Sequence, residues 1–234
     1  YIKTSLSGKI LKRIRWALQG RRTLHSSNAR IALTPYYANH LKNRGVHKSI
    51  DVLPNGFEPV AEDAARPTSL PVSIEEHPLF VFVGRLSEQK GLDVLMDAWD
   101  MLCHQGEPNA CLAIAGSGEL DAWLDKRIAS SKYPDSIAKL GRVDDDEKRW
   151  LFEQAKGVLI PSRFEGLPTV LLEAMHAGAP TVMADVNDLG RLVTEPNAGL
   201  SVAPGDSQDL LKAIKTLLQA DDDQIKQGSE NGHE

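Results

Sequence analysis

The chain has 234 residues, 41% hydrophobic and 25% charged, a composition typical of a globular protein with a sizeable core. Its apolar runs are far shorter than the roughly 20 residues that cross a bilayer, and no signal-peptide pattern opens it, so we predict a cytoplasmic protein. The formal net charge of -5 is unevenly distributed, because eleven of the 27 basic residues and none of the 32 acidic residues precede Asp51.

The basic front segment contains a helical pattern between Lys9 and Arg22. Its apolar residues share one face of a helical projection: Ile10, Leu11, Ile14, Ala17 and Leu18. That face suits the core of a domain. Trp16 lies among cations on the outward side, which suits peripheral contact with an anionic membrane, at the inner membrane face. Both interpretations stay open, whereas nucleic acid is disfavoured because no binding module is recognisable.

Short apolar runs along the chain predict strands at residues 30–34, 50–53, 79–83, 110–115, 137–140, 157–160, 180–184 and 199–202. Between them, helical patterns cover residues 36–43, 92–104, 120–130, 145–155, 168–177 and 207–219. Nearly continuous apolar strands alternating with helices require a parallel sheet covered on both faces. The predicted fold class is therefore α/β, a doubly wound parallel sheet of Rossmann-like type.

A domain boundary is expected near residues 54–56, and the weakly periodic, proline-containing stretch 59–78 is interpreted as a linker. Residues 57–234 then form one Rossmann-like domain. Residues 1–56 are too few for a domain of their own and are interpreted as the last elements and hinge of an N-terminal domain. The polar end of the chain suggests a truncation there as well.

Metal and dinucleotide sites are not expected. Cys103 and Cys111 fit buried free thiols, and the histidines have no ligand spacing. Residues 144–146 are three aspartates, which we interpret as a helix N-cap and first turn instead of a metal-binding D-x-D motif. Residues 116–118 read G-S-G without a third glycine, which disfavours a nicotinamide or flavin cofactor.

The most informative segment is P-S-R-F-E-G-L-P-T-V-L-L-E-A-M at residues 161–175, directly after a predicted strand. Ligands of open α/β sheets bind at such strand-to-helix turns. Gly166 permits a close backbone approach, and Pro168 suits the first helical position. The amides of Thr169 and Val170 would then point outward at the positive end of the helix dipole, where a phosphate is favoured.

Two carboxylates, Glu165 and Glu173, bracket this turn. Next to a phosphate these carboxylates would repel it unless they bind another group. Sugar hydroxyls are suitable partners, because they donate hydrogen bonds to ionised oxygens. The alternative is that Glu165 complements the helix dipole and that Glu173 is a solvated helix residue.

The spacing of these two glutamates resembles the E-x7-E signature of the family-four retaining glycosyltransferases of GT-B architecture. The similarity extends over most of the chain from Leu79 onward, in the family's order: V-F-V-G-R-L-S-E-Q-K-G at 81–91, I-A-G-S-G at 114–118, L-G-R-V at 140–143 and G-L-S-V-A-P-G-D at 199–206. One departure is N-D-L-G-R at 187–191, where the family often has Gly-Gly-x-x-Glu. The resemblance therefore implies no functional role for that loop.

The resemblance implies a role for each matching residue. Arg85 and Lys90 would bind the donor diphosphate in the turn that begins at Gly84, and Glu165 would contact the transferred sugar. Glu173 would bind the ribose hydroxyls. The backbone would supply further donor contacts at Gly166, Leu167, Thr169 and Val170, and nucleobase contacts at Arg142 and Val143. Two cations in one turn can neutralise a leaving diphosphate, so no metal or cofactor is expected.

The function implied is transfer of a hexose-type sugar from a nucleoside-diphosphate sugar to a glycan or lipid-linked acceptor, with retention, as in polysaccharide or lipopolysaccharide biosynthesis. Residues 1–56 would belong to the acceptor-side domain, so this chain alone should bind donor weakly and transfer little. Two alternatives remain, a non-catalytic sugar-nucleotide-binding module and a GT-B sugar-nucleotide epimerase.

Overall fold

The computed structural model describes residues 11, 14–56, 64–71, 77–106 and 108–220. These residues fall into two compact units, one ending at Gly56 and the other following it. Among them, no helix is both long enough and apolar enough to cross a membrane.

The first unit is small and has one pair of parallel strands. Its elements in chain order are a π-helical turn at Trp16–Gly20, α1 (Arg21–Ser26), β1 (Ile31–Ala32), α2 (Pro35–Asn43) and β2 (Asp51–Val52). Both strands are shorter than predicted. Within the described chain β1 and β2 pair only with each other, and a two-stranded sheet offers little packing to extend its strands.

The front helix differs from its prediction in which side chains are exposed. Trp16, expected to face outward, is half-buried, and the guanidinium of Arg44 lies 5.4 Å from its ring centroid. Leu11, Ile14 and Leu18, expected to pack in a core, are exposed. The positions of Lys9, Ile10, Lys12 and Arg13 and the side chain of Ala17 lie outside the described residues.

The second unit contains a six-stranded parallel sheet, which confirms the predicted fold class. Its strands are β3 (Leu79–Val83), β4 (Cys111–Ala115), β5 (Ile137–Gly141), β6 (Ala155–Ile160), β7 (Thr181–Ala184) and β8 (Gly199–Val202). Its helices are α3 (Leu92–His104), α4 (Asp121–Ala129), α5 (Asp145–Glu153), α6 (Thr169–His176), α7 (Arg191–Thr194) and α8 (Ser207–Gln219). Short 3-10 turns occupy Glu88–Lys90 and Pro134–Ser136.

The strand order is β5-β4-β3-β6-β7-β8, so the connections run outward from the centre in both directions. Right-handed crossovers in opposite directions place helices on both faces of the sheet. On one face α3 packs against α8, and on the other α5 packs against α6. The short helix α7, which begins at the last residue of the segment 187–191 that departs from the family pattern, was not predicted.

The core lies between the sheet and the α3–α8 layer. Phe80 of β3 and Trp99 of α3 are fully buried, with ring centroids 6.1 Å apart in an edge-on arrangement. Trp99 Nε1 donates to Ser136 Oγ at 3.1 Å, so its polar atom is satisfied inside the core. Cys103 and Cys111 are buried free thiols, as predicted.

The interpretation of residues 59–78 as a linker is wrong for residues 64–71, the longer of their two described parts. Leu70 is buried, Ala65 N donates to Asp146 O at 3.2 Å, and the guanidinium of Arg66 lies 6.0 Å from the ring centroid of Trp150. Leu70 and a few long-range contacts hold residues 64–71 against the rest of the second unit. The sequence carries no sign of this, because the stretch has no apolar periodicity.

The N-cap interpretation of the aspartates at 144–146 is confirmed. The Asp144 carboxylate accepts from Glu147 N at 2.8 Å, and the Glu147 carboxylate accepts from Asp144 N at 3.2 Å. This reciprocal capping box satisfies two amides at the start of α5.

Candidate functional site

The connections of the sheet reverse direction between its two central strands, β3 and β6. Ligands of open parallel sheets bind outside the carboxyl ends of the strands at such a point. The turns that follow these strands, residues 84–91 and 161–168, therefore form the candidate site. Both turns contain residues that the sequence predicts to bind a donor.

The two turns lie so close together that only glycine fits at Gly91. This residue has a φ of +69°, and a Cβ atom there would lie 2.0 Å from Pro161 O. Arg163 N donates to Gln89 O at 2.8 Å, and Gln89 Nε2 donates to Phe164 O at 2.9 Å. The two turns are therefore fixed to each other by backbone contacts as well as by side chains.

Lys90 and Glu165, one from each turn, are in direct contact. Lys90 Nζ lies 2.6 Å from Glu165 Oε1, and Ser162 Oγ donates to the same oxygen at 2.7 Å. The carboxylate of Glu165 is buried, which costs free energy unless a charge and hydrogen bonds compensate it. Asn187 Nδ2 donates to the backbone oxygen of Glu165 at 2.9 Å. The loop that departs from the family pattern thus contacts the candidate site.

The turn after β3 is also bonded to the turns after β4 and β5. Gly84 N donates to Ala115 O at 3.0 Å, and Leu86 N donates to Ser117 O at 3.1 Å. Arg142 Nε in turn donates to Ser117 Oγ at 3.0 Å. Arg142, predicted to lie near the nucleobase, therefore belongs to the same edge of the sheet as Gly84.

Helix α6 begins one residue later than predicted. Pro168 occupies the N-cap position with extended backbone angles, and Thr169 is the first helical residue. The hydrogen bonds of the helix start with Leu171 N, which donates to Pro168 O at 3.2 Å. Helix geometry leaves the amides of Thr169 and Val170 without an intrahelical acceptor, so this end of α6 suits a phosphate.

Glu173 has different partners from Glu165. Its Oε1 lies 3.0 Å from Lys148 Nζ, which also lies 2.9 Å from Asp145 Oδ1. Burial by itself would lower the pKa of Lys148, but the hydrogen bonds to the two carboxylates outweigh it and raise that pKa. Lys148 and Glu173 line a cavity of about 190 Å³ between α5 and α6, which Phe152 and His176 also line.

The structure thus brings Lys90 and Glu165 into contact and places Glu173 in a second cluster with Lys148. The Arg85 side chain is exposed and makes no hydrogen bond or ion pair with the rest of the described chain. Val143 and Gly166 are half-buried, and Leu167 is buried. Within the described ranges, no group of three or more His, Cys, Asp or Glu side chains is arranged to bind a metal.

Four contacting residues were missed by the sequence analysis: Ser162, Arg163, Asn187 and Lys148. Ser162 and Arg163 stand within the segment 161–175, and their polar character directly after a buried strand was a usable signal. Asn187 has a φ of +57°, a conformation that asparagine tolerates, and only the fold brings it to Glu165. Lys148 is 25 residues from Glu173 in sequence, and no spacing rule connects them.

The chain is similar to known glycosyltransferases in sequence and in fold. Residues 71–234 match the family described as glycosyl transferases group 1. A glycogen synthase of Mycobacterium tuberculosis is 31% identical over 173 residues, which cover 72% of this chain and 40% of that protein. A mannosylfructose-phosphate synthase of Agrobacterium fabrum is 30% identical over 195 residues, covering 77% of this chain and 42% of that protein. The chain therefore spans about two fifths of the length of these curated relatives.

Solved structures share the fold at lower identity. WaaG, a glycosyltransferase involved in lipopolysaccharide biosynthesis, superposes with a TM-score of 0.74 at 19% identity, covering 98% of this chain and 65% of that one. HepE of Anabaena, solved in complex with UDP, superposes with a TM-score of 0.72 at 22% identity, covering 88% of this chain and 58% of that one.

Proposed function

Since the chain belongs to the group 1 glycosyl transferases, we propose that it carries the donor-binding half of a retaining glycosyltransferase. The donor is a nucleoside-diphosphate sugar of hexose type, and the acceptor is a glycan or a lipid-linked saccharide. The observation that carries the proposal is the contact between Lys90 and Glu165 at the point where the sheet connections reverse.

The chemistry follows from the two charges of this pair. An ammonium group can bind the oxygens of a diphosphate, and an ionised carboxylate can accept hydrogen bonds from sugar hydroxyls. A nucleoside-diphosphate sugar presents both groups on neighbouring atoms. When this donor binds, its diphosphate can contact Lys90 and its sugar hydroxyls can contact Glu165. Each charge of the ion pair therefore keeps a polar partner in the complex.

In the transfer step, negative charge develops on the departing diphosphate. Lys90, the exposed Arg85 and the amides of Thr169 and Val170 stabilise that charge, so the anomeric carbon acquires oxocarbenium character while the acceptor approaches the same face. We assign Glu173 to the ribose hydroxyls and the backbone of Arg142 and Val143 to the nucleobase. These cations and amides are proposed to neutralise the diphosphate without a metal ion.

The test is a thermal-shift and calorimetry panel with the uridine, guanosine and adenosine diphosphates and their glucose conjugates. A ligand at one hundred times its Kd stabilises the native state by about 2.7 kcal/mol, so at least one of them should raise Tm. K90M should weaken binding and so reduce the shift. K126M, which removes an exposed lysine of α4, is the matched control and should retain it.

The proposal fails if none of these compounds changes Tm or if K90M binds as tightly as the wild type. Product analysis with the best donor then separates transfer from epimerisation or simple binding. We expect little transfer by this chain alone, and robust transfer to an added acceptor would contradict that expectation.

For the basic front segment we propose contact with an anionic membrane surface. Leu11, Ile14 and Leu18 are spaced as neighbours on one helix face and have exposed fractions of 67%, 49% and 68%. The neighbouring Arg21 and Arg22 are exposed cations. The chain should pellet with vesicles containing phosphatidylglycerol and not with phosphatidylcholine vesicles, and L18S should weaken pelleting. Equal pelleting with both vesicle types would contradict the proposal.

A further inference from the structure

Arg163 connects the two turns that carry Lys90 and Glu165. Its guanidinium binds Asp93 through two parallel hydrogen bonds, Nη1 to Oδ1 at 2.5 Å and Nη2 to Oδ2 at 2.6 Å. Nη1 also donates to Glu88 O at 3.1 Å. Asp93 lies in the first turn of α3, so one side chain from the turn after β6 is attached to the whole segment 88–93.

The Arg163–Asp93 pair is ionic. Burial by itself would raise the pKa of Asp93, but the hydrogen bond and the charge of Arg163 outweigh it and lower that pKa. The hydrogen bond to Asp93 raises the pKa of Arg163 in return. A planar guanidinium facing a carboxylate in this way defines an orientation as well as a distance.

These contacts leave Arg163 poorly suited to bind a ligand itself, because its two terminal nitrogens already donate to Asp93 and Glu88. The contacts of Arg163 also lie close in sequence to both Lys90 and Glu165. Lys90 stands between Glu88 and Asp93 in sequence, and Glu165 stands two residues after Arg163. Short stretches of backbone therefore connect the contacts of this guanidinium to both Lys90 and Glu165.

We propose that Arg163 is a positioning residue, which sets the placement of Lys90 relative to Glu165 by binding Asp93 and Glu88 O. This inference rests on the proposed function for its meaning in donor binding. Its mechanical part does not, because the link between the two turns is made by residues of this chain alone. Displacing a binding group by about 1 Å can cost on the order of a hundredfold in activity, so a link that fixes Lys90 relative to Glu165 would affect donor binding.

The first experiment measures the link itself. Amide hydrogen exchange of residues 84–91 and 161–168 is compared in the wild type, R163M, R163K and R127M. Arg127 of α4 is a matched control, because it also bonds two aspartates of α3, Asp97 and Asp100, but contacts neither turn. Local opening free energies set exchange rates, so R163M should accelerate exchange of both segments by about tenfold, R163K less, and R127M not at all.

The second experiment measures affinity for the nucleoside diphosphate that stabilises the wild type most. We expect R163M to weaken binding about tenfold and R163K to recover part of it. In the K90M background the further loss caused by R163M should fall below about twofold, because residues that act through each other are not additive. If Arg163 only stabilised the fold, R163M would weaken binding by the same factor in the wild type and in K90M.

Each outcome is decisive. Unchanged exchange in R163M, or equal affinity losses with and without Lys90, overturns the inference. If exchange accelerates as expected but no nucleoside diphosphate binds the wild type, the proposed function fails while the positioning link stands. If R163M does not fold, the same exchange and affinity measurements are made on R163K and D93N.

Discussion

Replacing Gly91 by alanine tests whether the close approach of the two turns builds the site. Gly91 has a φ of +69°, and the new Cβ would meet Pro161 O at 2.0 Å. Gly205 is a matched control, because its φ is +79° and nothing lies within 4 Å of a Cβ placed there. The two substitutions share the backbone strain and differ only in the collision.

The expected magnitudes follow from that difference. A non-glycine residue in the left-handed region costs about 1–2 kcal/mol, which is all that G205A should lose. G91A must also move a backbone oxygen outward, and overpacking of this kind costs about 1–3 kcal/mol more. We therefore expect G91A to lower the free energy of unfolding by about 2–5 kcal/mol.

The assay is urea unfolding followed by tryptophan fluorescence in a W16F background. Trp16 belongs to the first unit, whereas Trp99, Trp123 and Trp150 lie in the second, so fluorescence then reports the second unit alone. Equal losses of stability in G91A and G205A would refute the reasoning, because the collision with Pro161 would then cost nothing.

Three further predictions concern other contacts. K148M should weaken nucleoside diphosphate binding about three- to tenfold in calorimetry, because it removes a charge-assisted hydrogen bond from Glu173, and unchanged affinity would exclude that role. The lowered pKa of Asp93 means that its stabilisation is complete above its unfolded-state pKa, about 3.9, and is lost as the pH falls through the folded value. Stability should therefore fall as the pH drops below about 4, and D93N or R163M should flatten that slope in acid-titrated urea unfolding. D206A removes the side chain that accepts from two amides of the first turn of α8 and should cost about 1 kcal/mol, whereas a loss below 0.3 kcal/mol would contradict the cap.

Local signals in the sequence were sufficient for the sheet of the second unit. Each apolar run from Leu79 onward became a strand, and β3, β4 and β7 are buried along almost their whole length. Apolar runs of this kind report burial directly. The cap at Asp144 was predictable for the same reason, since its partner Glu147 is three residues away. The stretch 64–71 was not, because Leu70 has no periodic apolar neighbours and the stretch is held by long-range contacts such as Ser69 Oγ to Leu140 O.

In the candidate site, too, residues within local motifs were predictable, whereas their long-range partners were not. Glu165, Glu173 and Lys90 were identified from their spacing and from the motifs around them, and a resemblance over many residues supplied their roles. Their partners were not identifiable in that way. Lys90 meets Glu165, and Arg163 meets Asp93, across 75 and 70 residues of chain.

By itself, the sequence determined which segments become the strands and the longer helices of the second unit. It also determined which turns stand at the carboxyl ends of the central strands, and which residue types those turns present. The tertiary structure alone decided which cation pairs with which carboxylate. The physical reason is range: helix and strand periodicity acts between residues a few positions apart, whereas ion pairs depend on distances that exist only after β3 and β6 have become neighbours in one sheet.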